Sequence, residues 1–254
     1  MNMTKINKST SNVVVLLTAC ISPGAIIKTA RLDPVVRLAD YKLALKEWCL
    51  HSGGAHLVFC ENSGYDLAEL KEIARTNARS GKNVEFLSFN GQDFSSHLGK
   101  GYGEMRIIEH ALEKSEIIKS ASLILKVTGR LFVRNNQQLI QELSESTLAD
   151  VYCDLQSNLS MSDSRVFCAT APFIEKYLLP RAEEINDSAH MIFEIVLARA
   201  IHSALAEGWR WNLLPLTPWI VGVTGTSNES IPDSITGMLL SQIFRRVKGF
   251  VLAR

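Results

Sequence analysis

The sequence predicts an α/β fold, a Rossmann-type, mostly parallel sheet with helices on both faces. Two observations carry that expectation. Residues 12–20 form a continuous apolar, β-branched run with no polar alternation, as a central strand covered on both sides requires. Further along, up to residue 127, apolar runs and amphipathic stretches alternate as β-α-β-α-β-α-β, the pattern of parallel strands joined by helical crossovers. With 254 residues and 46% hydrophobic content, the chain is long enough to bury a sizeable core.

After the first strand, Ser22-Pro23-Gly24 makes a turn. Residues 34–50 then place Val36, Leu38, Leu43, Leu45 and Trp48 among charges, the spacing of an amphipathic helix, and Gly53-Gly54 ends it. Residues 56–60 are a second strand, and Asn62-Ser63-Gly64 a turn. Residues 66–80 are helical, with Gly81 as C-cap. Residues 84–89 are a third strand, and 90–103 a polar, glycine-rich loop. Residues 104–118 are a helix and 122–127 a fourth strand. Beyond this point the pattern is looser. Strands are expected at 150–155 and 165–170, a short helix at 172–179, a strong helix at 189–207, and a terminal helix over 234–254. In such a sheet ligands bind beyond the carboxyl ends of the strands. The candidate loops are therefore 22–37, 61–65, 90–104 and 128–135.

Lys and Arg total 27 and Asp and Glu 26, a net charge of +1, so nothing argues for nucleic-acid binding. Five scattered cysteines without a CxxC pair suggest neither a zinc site nor a disulfide framework. Their apolar neighbours read as buried, reduced thiols, which favours a reducing, cytoplasmic setting. The apolar run 13–21 is read as a strand rather than a signal peptide, because no small-residue cleavage pattern follows it. No stretch reaches the roughly 20 apolar residues of a membrane span. The histidines show no ligand spacing, and neither a Walker loop nor a Gly-x-Ser-x-Gly elbow is present.

Four constellations carry candidate chemistry. In Gly99-Lys100-Gly101-Tyr102-Gly103-Glu104, at a helix start, backbone amides and Lys100 suit an anion and Glu104 suits a sugar hydroxyl; the alternative is a flexible loop with a capping glutamate. Lys126 interrupts an apolar strand and needs a carboxylate or an anionic ligand. Arg130 follows that strand's end, where its planar fork suits a pyrophosphate, although structural ion pairs would equally occupy both cations. Asp154, Asp163 and Arg165 form a third group, for acceptor or phosphate contact or for turn capping. Glu194 sits among apolar neighbours on the 189–207 helix, as a general base or as the partner of Lys126 or an arginine.

The segment Ile124-Leu-Lys-Val-Thr-Gly-Arg-Leu-Phe-Val133, with the Lys-Gly-Tyr-Gly-Glu segment and the loop bearing Arg31, Asp33 and Arg37, resembles the GT-A group of glycosyltransferases. It is similar to bacterial capsule, O-antigen and lipopolysaccharide transferases. The likeness runs over 13–135 and more faintly over 150–228. It implies a single domain, 1–254: a nucleotide-sugar-binding half at 13–135, an acceptor-side half at 150–233, and the terminal helix. It also implies sugar transfer from a nucleotide-sugar donor to a saccharide or lipid-linked acceptor. Thr18, Arg31, Asp33, Arg37, Lys100, Gly101, Tyr102, Gly103, Glu104, Thr128 and Gly129 would hold the donor. Lys126 and Arg130 would stabilise the diphosphate, and Glu194 would serve the acceptor. Where the family carries its metal-binding Asp-x-Asp, this chain has Thr128-Gly129-Arg130. No metal ligand and no cofactor is therefore read from it. The rival reading is a non-catalytic nucleotide- or anion-binding module. The tail from Gly237 mixes large apolar residues with Arg245, Arg246, Lys248 and Arg254 and has no acidic residue, so it reads as a peripheral membrane contact or as a helix docked on the core.

Overall fold

The structure is a computed structural model and describes residues 12–24, 30–78, 84–146, 149–225 and 229–231. The first half follows the expected alternation. Strand β1 (Val13–Ala19) leads to α1 (Pro34–His51), β2 (Leu57–Glu61), α2 (Ala68–Asn77), β3 (Val84–Ser88), α3 (Gly99–Lys114), the single turn α4 (Glu116–Lys119) and β4 (Leu123–Thr128). Helix α1 starts where it does because Asp33 caps it, accepting from the Val35 amide at 2.8 Å, with Pro34 in the first turn.

The second half is built from shorter pieces: β5 (Leu131–Val133), α5 (Asn136–Glu145), β6 (Val151–Tyr152), β7 (Leu155–Gln156), β8 (Met161–Ser162), β9 (Val166–Ala169), α6 (Ala171–Phe173), α7 (Phe193–Ala206), β10 (Trp211–Asn212) and β11 (Ile220–Gly222). Seven strands form the main sheet in the order β10-β6-β9-β4-β1-β2-β3. Only β9 runs against its neighbours, β4 and β6. Strands β5 and β11 form a separate antiparallel pair.

The central strand shows why the sheet is covered twice. Val13, Val15 and Leu17 enter one core, with Leu38, Tyr41, Leu45 and Trp48 of α1 and Leu139 and Leu143 of α5. Val14 and Leu16 point the other way, into a second core with Met105, Ile108 and Ala111 of α3 and Val196, Leu197 and Ile201 of α7. The period of two along an apolar strand thus feeds two layers of helices.

Several boundaries depart from the sequence reading, among them α2, which ends at Asn77 with Ala78 as its C-cap rather than running to residue 80. Helix α3 starts at Gly99 rather than at residue 104, so the glycine cluster lies inside its first turns. Helix α7 starts at Phe193 rather than at 189, because Asn186 turns the chain back on itself. The Asn186 side chain accepts from the Ala189 amide, and Asn186 bridges Met191. The strand expected over 150–155 is two short strands, with β6 in the main sheet and β7 paired to β8. The terminal helix expected over 234–254 lies outside the described residues. Among the described residues no helix is long and apolar enough to cross a membrane.

Candidate functional site

The chain moves from β1 to β2 and β3 on one side, then places β4 on the other side of β1. The strand order reverses between β1 and β4, and ligands of open α/β sheets bind beyond the carboxyl ends of the strands at such a point. Thr18 and Thr128 are register partners at those two ends. Both line a solvent-open cleft of about 600 Å³, together with Cys20, Arg37, Tyr41, Asn62, Gln92, Lys100, Gly103, Glu104 and Arg130.

Arg130 occupies the turn that joins β4 to β5. Its Nε donates to the Val223 carbonyl at 3.0 Å, which fixes the plane of the guanidinium. Its terminal nitrogens have no acceptor and its charge no carboxylate partner among the described residues. An arginine held at one end, with its fork lining a cleft, is suited to an anion.

Glu104 faces the same cleft from α3. One oxygen, Oε1, is held twice: the Thr18 hydroxyl donates to it at 2.9 Å, and Lys126 makes an ion pair with it. Lys126 comes from the middle of β4 and has 1% of its side chain exposed, against 20% for Glu104. Its Nζ also donates to the Ser164 carbonyl at 2.6 Å. Direct contact of Lys126 with a diphosphate is therefore corrected: the ammonium lies beneath Glu104 and does not line the cleft, because a buried cation takes the nearest carboxylate.

The glycine cluster is likewise not an open amide cradle. Gly99 adopts φ 78°, and a Cβ there would come within 2.4 Å of the Asp187 side chain. Asp187 accepts from the Lys100 amide at 3.1 Å, so a protein carboxylate already occupies this helix N-terminus. Gly101 packs on Phe193 and Tyr102 stacks edge-on against Phe94, and neither lines the cleft. Lys100, Gly103 and Glu104 do.

The loop bearing Arg31, Asp33 and Arg37 divides by role. Arg37 is 5% exposed, and its guanidinium donates to the Cys20 carbonyl at 2.7 Å and the Arg31 carbonyl at 3.0 Å. It braces the loop after β1 and edges the cleft. Arg31 pairs with Asp40, with Nη2 2.7 Å from Oδ1, and Asp33 is the α1 cap; neither lines the cleft. Gly129 sits behind the lining, its amide bound to the Thr18 carbonyl at 2.8 Å.

The acceptor-side candidates are not brought to this cleft. Asp163 grips Arg165 with both oxygens, at 2.9 and 2.7 Å, and its amide donates to the Asp154 carbonyl at 2.9 Å. The hydrogen bonds from Arg165 to the Asp163 carboxylate, and that carboxylate's charge, raise the already high pKa of Arg165 further. Glu194, in the first turn of α7, accepts from the Ser164 hydroxyl at 2.7 Å and does not line the cleft.

Several contributors carry no sequence signal. Glu61 is fully buried and accepts the backbone amides of Ile21, Ser63 and Tyr65 at 2.9, 2.9 and 3.1 Å, which ties the loops after β1 and β2 together. Asn62 is 1% exposed; its Nδ2 donates to the Gly103 carbonyl at 3.0 Å, and its Oδ1 has no partner among the described residues. Tyr41 donates to the Cys20 carbonyl at 3.3 Å and accepts the Cys20 amide at 3.0 Å. Cys20 itself is no nucleophile: burial pushes its thiol up to about 12.

No protein-family model matches the chain, and no curated protein sequence matches it. Among solved structures, it is similar to the mannosyltransferase PcManGT from Pyrobaculum calidifontis in complex with GDP-Man and Mn2+. The identity is 9% over 95% of this chain and 62% of that chain, with a TM-score of 0.46. It is also similar to mouse xyloside xylosyltransferase 1, at 12% identity over 80% of this chain and 84% of that one, TM-score 0.46. HddC from Yersinia pseudotuberculosis matches at 13% identity over 83% and 93%, TM-score 0.38.

Proposed function

We propose that this protein transfers a sugar from a nucleotide-sugar donor to a saccharide or lipid-linked acceptor. The observation that carries the reading is the pairing, in one cleft at the sheet's reversal point, of an arginine with no carboxylate partner among the described residues and a glutamate anchored by one oxygen. A nucleotide sugar has the matching ends, an anionic diphosphate and an uncharged array of hydroxyls. Arg130, with Lys100 lining the same cleft, takes the diphosphate, and Glu104 takes sugar hydroxyls.

In the reaction the acceptor oxygen bonds to the anomeric carbon as the carbon–oxygen bond to the diphosphate breaks. The electron pair leaves on the phosphate oxygen, where Arg130 offsets the developing charge. The acceptor proton passes to a base or to solvent. A divalent ion, which the Asp-x-Asp of the resembling family would hold, fits poorly here. Glu104 is the one Asp or Glu lining the cleft among the described residues, and its Oε1 is already shared by Lys126 and Thr18. We assign the charge stabilisation to side-chain cations and no step to a metal. A surface polysaccharide or glycolipid of bacterial capsule, O-antigen or lipopolysaccharide type remains the acceptor class proposed, with work on the cytoplasmic side and tail contact at the membrane.

Donor hydrolysis tests the reading. Glycosyltransferases leak sugar to water when the acceptor is missing, and a binding module does not. Incubation with UDP-, GDP-, CDP- and dTDP-sugars is expected to release nucleoside diphosphate from at least one. Tight nucleotide binding without release from any donor overturns transfer in favour of a regulatory or scaffolding module.

A further inference from the structure

We infer that Lys126 is a positioning residue for Glu104, and that the pair sets the site's preference for a nucleotide bearing a sugar over the bare nucleotide. The inference rests on the nucleotide-sugar reading above and deepens it.

Lys126 stands mid-strand in the most buried part of the sheet, opposite Leu16 on β1 and Phe167 on β9. Its ammonium lies 5.8 Å from the Phe167 ring centroid and 5.9 Å from that of Phe193. A charge at such depth has no evident benefit for folding alone, since apolar replacement of buried ion pairs is often neutral or stabilising. Its effect on Glu104 is geometric. With Lys126 and the Thr18 hydroxyl both on Oε1, the carboxylate is held in one orientation. Its Oε2 has no protein partner among the described residues, while Glu104 lines the cleft.

Electrostatics decides what that oxygen meets. A bare carboxylate in the cleft would repel the diphosphate beside Arg130 and Lys100. Lys126 beneath it cancels most of that field at a distance and leaves a short-range acceptor for neutral hydroxyls. The other charged groups nearby agree with this division. Arg37 is spent on the Cys20 and Arg31 carbonyls, and Glu194 lies behind Ser164. The cleft's cations therefore bind whatever carries phosphate, and the Glu104–Lys126 pair discriminates by the sugar.

Calorimetric titration of the full chain with UDP and UDP-glucose, GDP and GDP-mannose, and CDP and CDP-glucose tests this. At least one sugar-bearing member is expected to bind the wild type more tightly than its bare nucleotide. Glu104→Gln and Lys126→Met are each expected to lose that increment, about tenfold to a hundredfold for a hydrogen bond to a charged group. Bare-nucleotide affinity is expected not to fall in Glu104→Gln and to fall in Lys126→Met, where the uncovered carboxylate repels the diphosphate, by less than the nucleotide-sugar affinity does. The double variant is expected to be no weaker than Glu104→Gln alone, because both changes act through one oxygen. A folded Lys126→Met protein that keeps the increment overturns the inference, as does one that loses bare-nucleotide and nucleotide-sugar affinity in equal proportion. Should Lys126→Met not fold, the double variant, which removes both charges, and Glu104→Gln decide: retention of the increment in either overturns it. A wild type that binds none of these nucleotides fails the nucleotide-sugar reading itself. A wild type that binds bare nucleotide and nucleotide sugar equally fails only the role given to the pair.

Discussion

The Gly129 amide donates to the Thr18 carbonyl at 2.8 Å, which draws the turn after β4 across the end of β1. A Cβ built on Gly129 would stand 2.7 Å from that same carbonyl oxygen. The approach is closer than any side chain allows, so the bond and the glycine require each other. Arg130 is the next residue, and its entry into the cleft follows from where this bond puts the chain.

Gly129→Ala is therefore expected to act on Arg130 as much as on stability. Forcing backbone apart in a packed region costs roughly 1–3 kcal/mol, readable as a lowered unfolding midpoint. Donor turnover should fall further than that loss predicts at a temperature where the variant is fully folded. Wild-type turnover in the folded variant would show that Arg130 does not depend on this turn.

Arg130→Ala is expected to lower kcat/KM by about a hundredfold or more, the usual consequence of losing one donor that stabilises developing charge. Arg130→Lys should recover only part, since a point charge cannot reproduce the fork. Lys100→Ala is expected to be milder. Unchanged kinetics in Arg130→Ala would reduce the residue to a brace for the Val223 segment.

Turnover is expected to survive EDTA, because the cleft offers side-chain cations where a metal-dependent relative would offer two carboxylates. Complete loss on chelation, restored by manganese, would overturn the cationic clamp.

The sequence disclosed the sheet because period and length are local signals: a run such as 12–20 has no other stable use. It also disclosed Thr18, Lys100, Glu104 and Arg130 as residues near strand ends. It could not disclose that Lys126 belongs under Glu104 rather than in the cleft, because the two lie in different elements and meet only when α3 packs on β1, beside β4. Asp187 was invisible for the same reason: nothing in its own segment shows that it caps α3. Glu61 and Asn62 looked like ordinary turn residues, since acceptance of backbone amides from other loops leaves no pattern in the chain. The glycines were legible as close approaches, but the approaching group was another helix's side chains rather than a ligand.

Alkaline stability gives a prediction from the buried thiols. Burial pushes Cys153 from 9.0 up to about 12, and raises Cys60 and Cys168 as well. Above pH 9 the unfolded chain releases these protons while the folded protein keeps them. The folded state then binds more protons, so stability falls as pH rises, from about 9 toward 12. Each such group contributes at most about 1.4 kcal/mol per pH unit in that window. Cys153→Ala is expected to flatten the fall in urea unfolding free energy between pH 9 and 11. An unchanged slope would mean that another group dominates.

Asn62 separates stability from binding. Its Nδ2 donates to the Gly103 carbonyl, which fixes the amide so that Oδ1 is the atom left over, buried at the cleft wall and without a partner among the described residues. A buried acceptor without a donor costs roughly 1–3 kcal/mol. Asn62→Leu removes that acceptor at similar volume and loses one hydrogen bond to a helix carbonyl. The two changes oppose each other, so the unfolding midpoint of the ligand-free protein is expected to stay close to wild type or to rise. Nucleotide-sugar affinity is expected to fall about tenfold, because the hydrogen bond that holds the cleft-lining Gly103 carbonyl is lost. Thermal unfolding with and without the best-binding nucleotide sugar measures both at once, since the ligand-induced rise in midpoint reports affinity. A lower midpoint without ligand and an undiminished rise with it would make Asn62 a structural amide and nothing more.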